Sequence, residues 1–231
     1  MPSIPRAAPL LPAARSLAEV PVVLLDLDGT IVESGPGILA ALDHAFTACG
    51  EPHPGEEVLQ GFIGPPLSDS FQGVLGLSAE RAEQLRGAYS EHYLEHGVLS
   101  SAPYPGIREL IAALRAEGRV VAVATNKPET TAIRLLHHQG LAGALDVIGG
   151  TDAAVGRRDK AAVIGDVLAR LGDRAAAGAV MVGDRLHDAE GAEAHGLPAV
   201  LVGWGYGGRL ERDSGLPFAE TVADLAALLR G

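Results

Sequence analysis

Lysine is almost missing from this sequence. Of its 18 basic residues only Lys127 and Lys160 are lysines, and the rest are arginines. A chain that uses arginine nearly everywhere, yet lysine at two places, points to a need for a compact charge there. Positive charge as a whole is scarce. Against 29 acidic residues it leaves a formal net charge of −11 and a sequence pI near 5.1. Polyanions would meet repulsion, so neither a nucleic acid polymer nor an acidic membrane surface is expected as a partner. Aromatic residues are only 4%, which removes the stacking platforms used on single-stranded nucleic acid. The single cysteine, Cys49, permits no intrachain disulfide and fits a reducing, cytoplasmic setting. Nothing around it suggests a nucleophile, and it reads as a small buried hydrophobe. No apolar run approaches the roughly 20 residues needed to cross a bilayer.

What is present is ordinary globular material: 231 residues, 47% hydrophobic and 20% charged. Residues 1–18 are rich in Pro, Ala and Arg, with prolines breaking the apolar stretch at Leu10 and Leu11. They read as a loose leader outside the fold rather than a signal peptide. Continuous apolar runs then recur at Val22–Leu25, Val120–Ala124, Asp146–Ile148, Ala179–Val182 and Ala199–Val202. Such runs mark strands buried on both faces. Helical spacing separates them, at Ile107–Glu117, Pro128–His138, Lys160–Leu171, His187–His195 and Val222–Leu229. The alternation predicts an α/β fold with a mostly parallel sheet sandwiched by helices. Between Ser34 and Ala102 the alternation stops, and helices at Gly37–Ala48 and Ala79–Glu95 are the clearest elements. The expected organisation is a core of residues 19–34 and 103–231 with an all-helical insertion, 35–102, after the first strand.

Polar clusters sit just after the ends of these strands, where ligands bind in open parallel sheets. Asp26 and Asp28, in Asp26-Leu27-Asp28-Gly29-Thr30, crowd two carboxylates at the end of a buried strand. That arrangement favours a bound hard cation over a simple turn. Thr125-Asn126-Lys127-Pro128 reads equally as a phosphate-oxygen site or as the cap of the next helix, and Lys127 stays open between the two. Lys160 opens the helix after the third strand. Asp184 and Asp188 lie in Gly183-Asp184-Arg185-Leu186-His187-Asp188. Asp184 can reach a metal shared with Asp26, while Asp188 either orients Lys160 or bound water, or caps its helix. Asp26, Asp28, Asp184 and Asp188 bring four negative charges and Lys160 returns one. A phosphate dianion could not join them without more cation, so the count calls for Mg²⁺, the metal that oxygen-only ligands favour over zinc.

Asp26-Leu27-Asp28-Gly29-Thr30, then Thr125, Lys160 and Gly183-Asp184 with Asp188, resemble in this order the four motifs of the haloacid dehalogenase superfamily. The match spans the chain from about Val22 onward. The resemblance implies a Rossmann-like core with a mobile helical cap, and a magnesium-dependent phosphatase acting on a small phosphorylated metabolite. It further implies that Asp26 attacks phosphorus and that Asp28 is the acid/base. Mg²⁺ would be held by the Asp26 carboxylate, the Asp28 main-chain carbonyl and Asp184. Gly29, Thr125, Asn126 and Lys160 would hold phosphate oxygens. The chain looks most like the phosphoglycolate phosphatase-like branch. Gly64-Pro65-Pro66-Leu67, Gly156–Lys160 and Trp204-Gly205-Tyr206-Gly207 look more like its 5'-nucleotidase members.

Two departures stand out: no proline-rich stretch follows Lys160, and the insertion has no lysine and only Arg81 and Arg86 as arginines. Asp28 speaks against a true dehalogenase, which needs no acid two residues after its nucleophile. Phosphosugar mutases keep it and stay possible. A phospho-acceptor signalling module would place its aspartate after the third strand and lack the insertion. Oligomeric state has no signature in the sequence.

Overall fold

The computed structural model describes residues 16–231. The expected leader up to residue 15 lies outside the described residues. Leu17 and Ala18, assigned to that leader, belong instead to the fold. Leu17–Glu19 form a short turn, Leu17 packs against the apolar core, and Arg119 Nη2 donates to the Leu17 carbonyl at 3.2 Å.

Six parallel strands form the main sheet: β1 (Val22–Leu25), β4 (Val120–Pro128), β5 (Val147–Thr151), β6 (Ala179–Gly183), β7 (Ala199–Val202) and β8 (Phe218–Ala219). Their spatial order is β5-β4-β1-β6-β7-β8, which puts β1 in the middle. Two short strands, β2 (Val32–Glu33) and β3 (Ala102–Pro103), pair antiparallel where the chain leaves and re-enters the core. The fold is the expected Rossmann-like α/β sandwich.

The uninterrupted apolar runs have a simple cause: successive side chains go to opposite faces of the sheet, and both faces are covered. Val22, Leu24, Ala122, Ala124 and Met181 pack with Val163, Ile164 and Val167 of α5 (Lys160–Leu171). Val23, Leu25, Val121, Val123 and Val182 pack on the other side with Ile107, Ile111 and Leu114 of α3 (Ile107–Ala116) and with Leu225 and Leu229 of α7 (Val222–Arg230).

Residues 35–100 contain no strand and hold α1 (Gly35–Cys49) and α2 (Ala79–His92), with shorter helical turns between and after them. Helix α1 starts with Pro36 near its first position, where a missing N–H costs nothing, and stops at Gly50 with φ of 65°. It buries Ile38, Ala41, Leu42, Ala45 and Phe46, a stripe at three- and four-residue spacing. Cys49, read as buried, is half-buried at its end. Ile38, Phe46, Phe71 and Tyr93 join the same apolar cluster as the α3 side of the sheet. Among the described residues no helix is long and apolar enough to cross a membrane.

The structure moves several expected boundaries. Strand β4 continues past Ala124 to Pro128, so the next helix, α4 (Glu129–His138), starts at Glu129. Strand β5 extends to Thr151, and the edge strand β8 had no expected counterpart.

Candidate active site

Asp26 follows the last residue of β1 and is buried. Its N–H donates to the Val182 carbonyl at 2.8 Å, which ties it to the neighbouring strand. Lys160 Nζ sits 2.7 Å from Asp26 Oδ1, 2.9 Å from the Ala124 carbonyl and 2.7 Å from Asp188 Oδ1. Burial alone would lower the affinity of this ammonium for its proton. The Asp188 and Asp26 carboxylates outweigh that effect and push its pKa up to about 12. Asp188 lies in the first turn of α6 (Leu186–Glu193), and its Oδ2 accepts from the Arg185 N–H at 3.1 Å. One oxygen thus meets the helix start and the other faces Lys160.

Lys127 makes a second pair. Its Nζ lies 2.9 and 2.8 Å from the two carboxylate oxygens of Asp28, and both side chains are almost wholly buried. Burial works against the Lys127 charge, but the Asp28 carboxylate more than offsets it and holds the ammonium above its ordinary range. Ser34 Oγ also donates to Asp28 Oδ1. The two lysines thus hold the two acids of the first motif, one each.

Thr125 is buried, and its Oγ1 accepts from the Lys127 N–H at 3.2 Å. Because β4 runs on to Pro128, neither Thr125 nor Asn126 caps α4 (Glu129–His138), which removes one of the two readings of that cluster. Asn126 Nδ2 donates to the Gly64 carbonyl of the insertion at 3.4 Å, and its buried Oδ1 has no partner. Gly29 was expected among phosphate ligands, but its N–H is spent on the Val32 carbonyl at 2.9 Å. Its contribution is room: at φ of 81°, an added Cβ would fall 2.2 Å from Asp184 Oδ2.

Asp184, one residue beyond β6, is buried with its Oδ2 accepting from the Tyr206 N–H at 2.6 Å. Its Oδ1 is buried without a partner. Burial first, then the Asp188 and Asp26 charges, hold this carboxyl well above the usual carboxylate range. An orphaned buried carboxylate oxygen beside further acids is what a hard cation satisfies. Asp26, His187 and Asp188 also bring ligand atoms within 4.8 Å of one another. Asp188 Oδ1 is already on Lys160 in that group, so Asp184 is the better anchor for an ion.

A raised carboxyl has a measurable consequence. The native Asp184 keeps a proton that the unfolded chain has lost, so metal-free protein loses stability as pH rises from the ordinary carboxylate range through the raised value. Magnesium needs the ionised form. Magnesium bound at Asp184 would therefore release protons, seen as calorimetric binding enthalpies that differ between buffers of different ionisation enthalpy. Asp184→Asn should abolish both the binding and the difference. Equal enthalpies in all buffers for the unsubstituted protein would refute this account.

Other residues at the site had no expected role. The Tyr206 hydroxyl accepts from the N–H groups of Ser34 and Gly35 at 2.9 and 2.6 Å, tying the loop after β7 to the start of α1. Arg185 Nη1 donates to the carbonyls of Ile63 and Tyr206 at 3.2 and 3.1 Å. His187 Nε2 is buried without a hydrogen-bond partner, 3.7 Å from Asp188 Oδ1, and burial lowers its pKa. The strand-end rule, applied to β7 as it was to the other strands, would have led to Tyr206. Arg185 and His187 lie inside a motif already singled out.

The family pattern described as "Haloacid dehalogenase-like hydrolase" matches residues 23–202. This chain belongs to that family. It is 34% identical to a 5'-nucleotidase of Pseudomonas aeruginosa over 90% of this chain and 93% of that one. It is 40% identical to the tyrosine-protein kinase PtkA of Mycobacterium tuberculosis over 84% of this chain. The match covers 66% of that kinase, just under two thirds of its length. Among solved structures, a predicted phosphatase from Clostridium acetobutylicum superposes with a TM-score of 0.81 at 29% identity, covering 89% of this chain and 96% of that one.

Proposed function

We propose that this protein is a magnesium-dependent phosphatase that hydrolyses a small phosphate monoester through a phosphorylated Asp26. The observation that carries this reading is the placement of Asp26 at the end of the central strand, with Lys160 on one oxygen and Asp28 two residues on. The other Asp26 oxygen attacks phosphorus while the bond to the leaving alcohol breaks, and the Asp28 carboxyl gives that alcohol its proton. Asp28, now a carboxylate, takes a proton from water as the water oxygen attacks the aspartyl-phosphate. Phosphate leaves and Asp26 is restored. Lys160 and Thr125 hold phosphoryl oxygens, with Asn126 beside them. Magnesium would be held by Asp26, the Asp28 main-chain carbonyl and Asp184, and would supply the positive charge that lets a phosphate dianion join these acids.

Purified protein is expected to release phosphate from p-nitrophenyl phosphate with Mg²⁺ and to stop with EDTA. Turnover unchanged by chelation would end the magnesium reading.

For the substrate, the family branch suggests phosphoglycolate and the 5'-nucleotidase likeness a nucleoside monophosphate, and the insertion weighs against the first, which carries a second anionic group. Arg81 is tied to Glu51 at 2.6 Å and to the Cys49 carbonyl at 2.6 Å, at the far end of α1. Arg86 is paired with Glu83 at 2.7 Å. Neither offers a free guanidinium to a second anionic group. Phosphate release from phosphoglycolate, nucleoside monophosphates and sugar phosphates separates these readings, and a sugar phosphate isomerised without phosphate release would identify a mutase. The likeness to PtkA raises a further acceptor: an aspartyl-phosphate can pass its phosphoryl group to a tyrosine hydroxyl in place of water. Labelled phosphate appearing on an added tyrosine peptide, and not as inorganic phosphate, would identify that activity.

A further inference from the structure

We propose that Lys127 and Tyr93 form a positioning device for Asp28, so that the helical insertion contributes to proton transfer. This rests on the phosphatase reading above. Asp28 is the one site acid whose two oxygens are both held by the same ammonium, at 2.9 and 2.8 Å. That ammonium has no other carboxylate within ion-pairing distance among the described residues. The Tyr93 ring covers it, with Lys127 Nζ 4.5 Å from the ring centroid. A cation over an aromatic face is held there more strongly when the pair is shielded from water. Tyr93 is itself fixed: it is buried, and Tyr89, on the preceding turn, stacks on it at 5.6 Å with the rings 14° apart.

The three residues come from different parts of the chain. Asp28 follows β1, Lys127 lies near the end of β4, and Tyr93 follows α2 in the insertion. Lys127 is thus the joint between the acid/base and the insertion. A lysine fits this role where an arginine would not. A compact ammonium can meet both oxygens of one carboxylate and still lie against a ring face.

The consequence is specific to one step. When Asp26 forms its bond to phosphorus, the oxygen of the leaving group takes the electron pair of the breaking bond. An alkyl alkoxide needs the Asp28 proton at that moment, so in the substrate complex one Asp28 oxygen leaves Lys127 to carry that proton while the other stays on the ammonium and fixes the carboxyl. A p-nitrophenolate leaves well without it. The kcat/KM value reports events up to the first irreversible step, here departure of the leaving group, so a misplaced Asp28 should damage alkyl esters selectively.

The test compares kcat/KM on 2-hydroxyethyl phosphate and on p-nitrophenyl phosphate. Asp28→Asn sets the scale, with an expected loss of about 100-fold or more on the alkyl ester and far less on the aryl ester. Lys127→Met is expected to show the same selective loss, about 100-fold against less than about 5-fold. Tyr93→Leu should lose about 5- to 30-fold on the alkyl ester, and Tyr93→Phe, which keeps the ring, should recover most of that loss. Partial unfolding lowers both substrates in proportion and leaves their ratio unchanged, so the ratio reads the mechanism. If Lys127→Met is too unstable to purify, the two Tyr93 variants carry the same comparison. Equal losses on both esters in the Lys127 or Tyr93→Leu variants, with Asp28→Asn still selective, would overturn the proposal. Equal losses in Asp28→Asn would instead remove the acid/base role of Asp28, and the proposal with it.

Discussion

Asp26→Asn is expected to abolish phosphate release, lowering kcat by at least about 10⁴-fold, while the protein stays folded. Loss of a nucleophile is among the largest single effects in enzymes that form a covalent intermediate. An amide oxygen cannot take its place, because it carries no charge to attack phosphorus. The fold should survive for a reason visible in the charges. Asp26 is one of four buried carboxylates served by two lysines, and its charge helps push the Asp184 carboxyl upward. Asparagine keeps the shape and removes one source of that repulsion. Lys160 keeps its contacts with Asp188 and the Ala124 carbonyl. The loss of one charge-assisted contact, about 1.5–3 kcal/mol, is thereby partly offset. A melting temperature within a few degrees of the parent protein is the expected result. Intact-mass measurement adds a second check: substrate should leave a phosphoryl adduct on Asp28→Asn, which cannot activate water, and none on Asp26→Asn. Turnover above about one per cent of the parent rate in well-folded Asp26→Asn would sink the mechanism.

The parts of this site that were readable in the sequence are those fixed by local rules. A strand buried on both faces must be an apolar run, so the five long strands announce themselves, and the polar residues just past three of them mark the ligand edge. Asp26, Thr125 and Asp184 follow from that rule alone. Scarcity did the same for lysine: the two lysines are both buried on site carboxylates. What stayed hidden depends on distant partners. Lys127 meets Asp28 across 99 residues, and the Tyr206 hydroxyl meets Ser34 across 172. No spacing encodes such contacts. Strand β4 runs through Thr125, Asn126 and Lys127, polar residues that hydropathy reads as loop. Strand β8 is two residues long at the sheet edge, too short to make a pattern.

Lys160→Met is expected to cost the most stability of any substitution at the site. The ammonium is buried with 3% of its side chain exposed, and it touches Asp26, Asp188 and the Ala124 carbonyl. Methionine fills the space but leaves Asp26, Asp188 and Asp184 facing one another without a cation. Breaking a buried ion pair from one side costs about 3–5 kcal/mol. In a chain of this size each kcal/mol moves the melting temperature by about 2–4 °C, so a drop of roughly 6–20 °C should be seen by calorimetry. Two treatments should return part of it. Magnesium restores positive charge, and mildly acidic pH protonates the stranded carboxyls. Lys160→Met combined with Asp188→Asn should be more stable than Lys160→Met alone, because one stranded charge is gone. Lys160→Arg should not restore the parent. The stem of Lys160 packs on Gly191, where an added Cβ would fall 2.6 Å from Lys160 Cγ, leaving no slack for a planar fork. A double variant no more stable than Lys160→Met would show that Asp188 and Lys160 are not coupled, and that the charge account of this site is wrong.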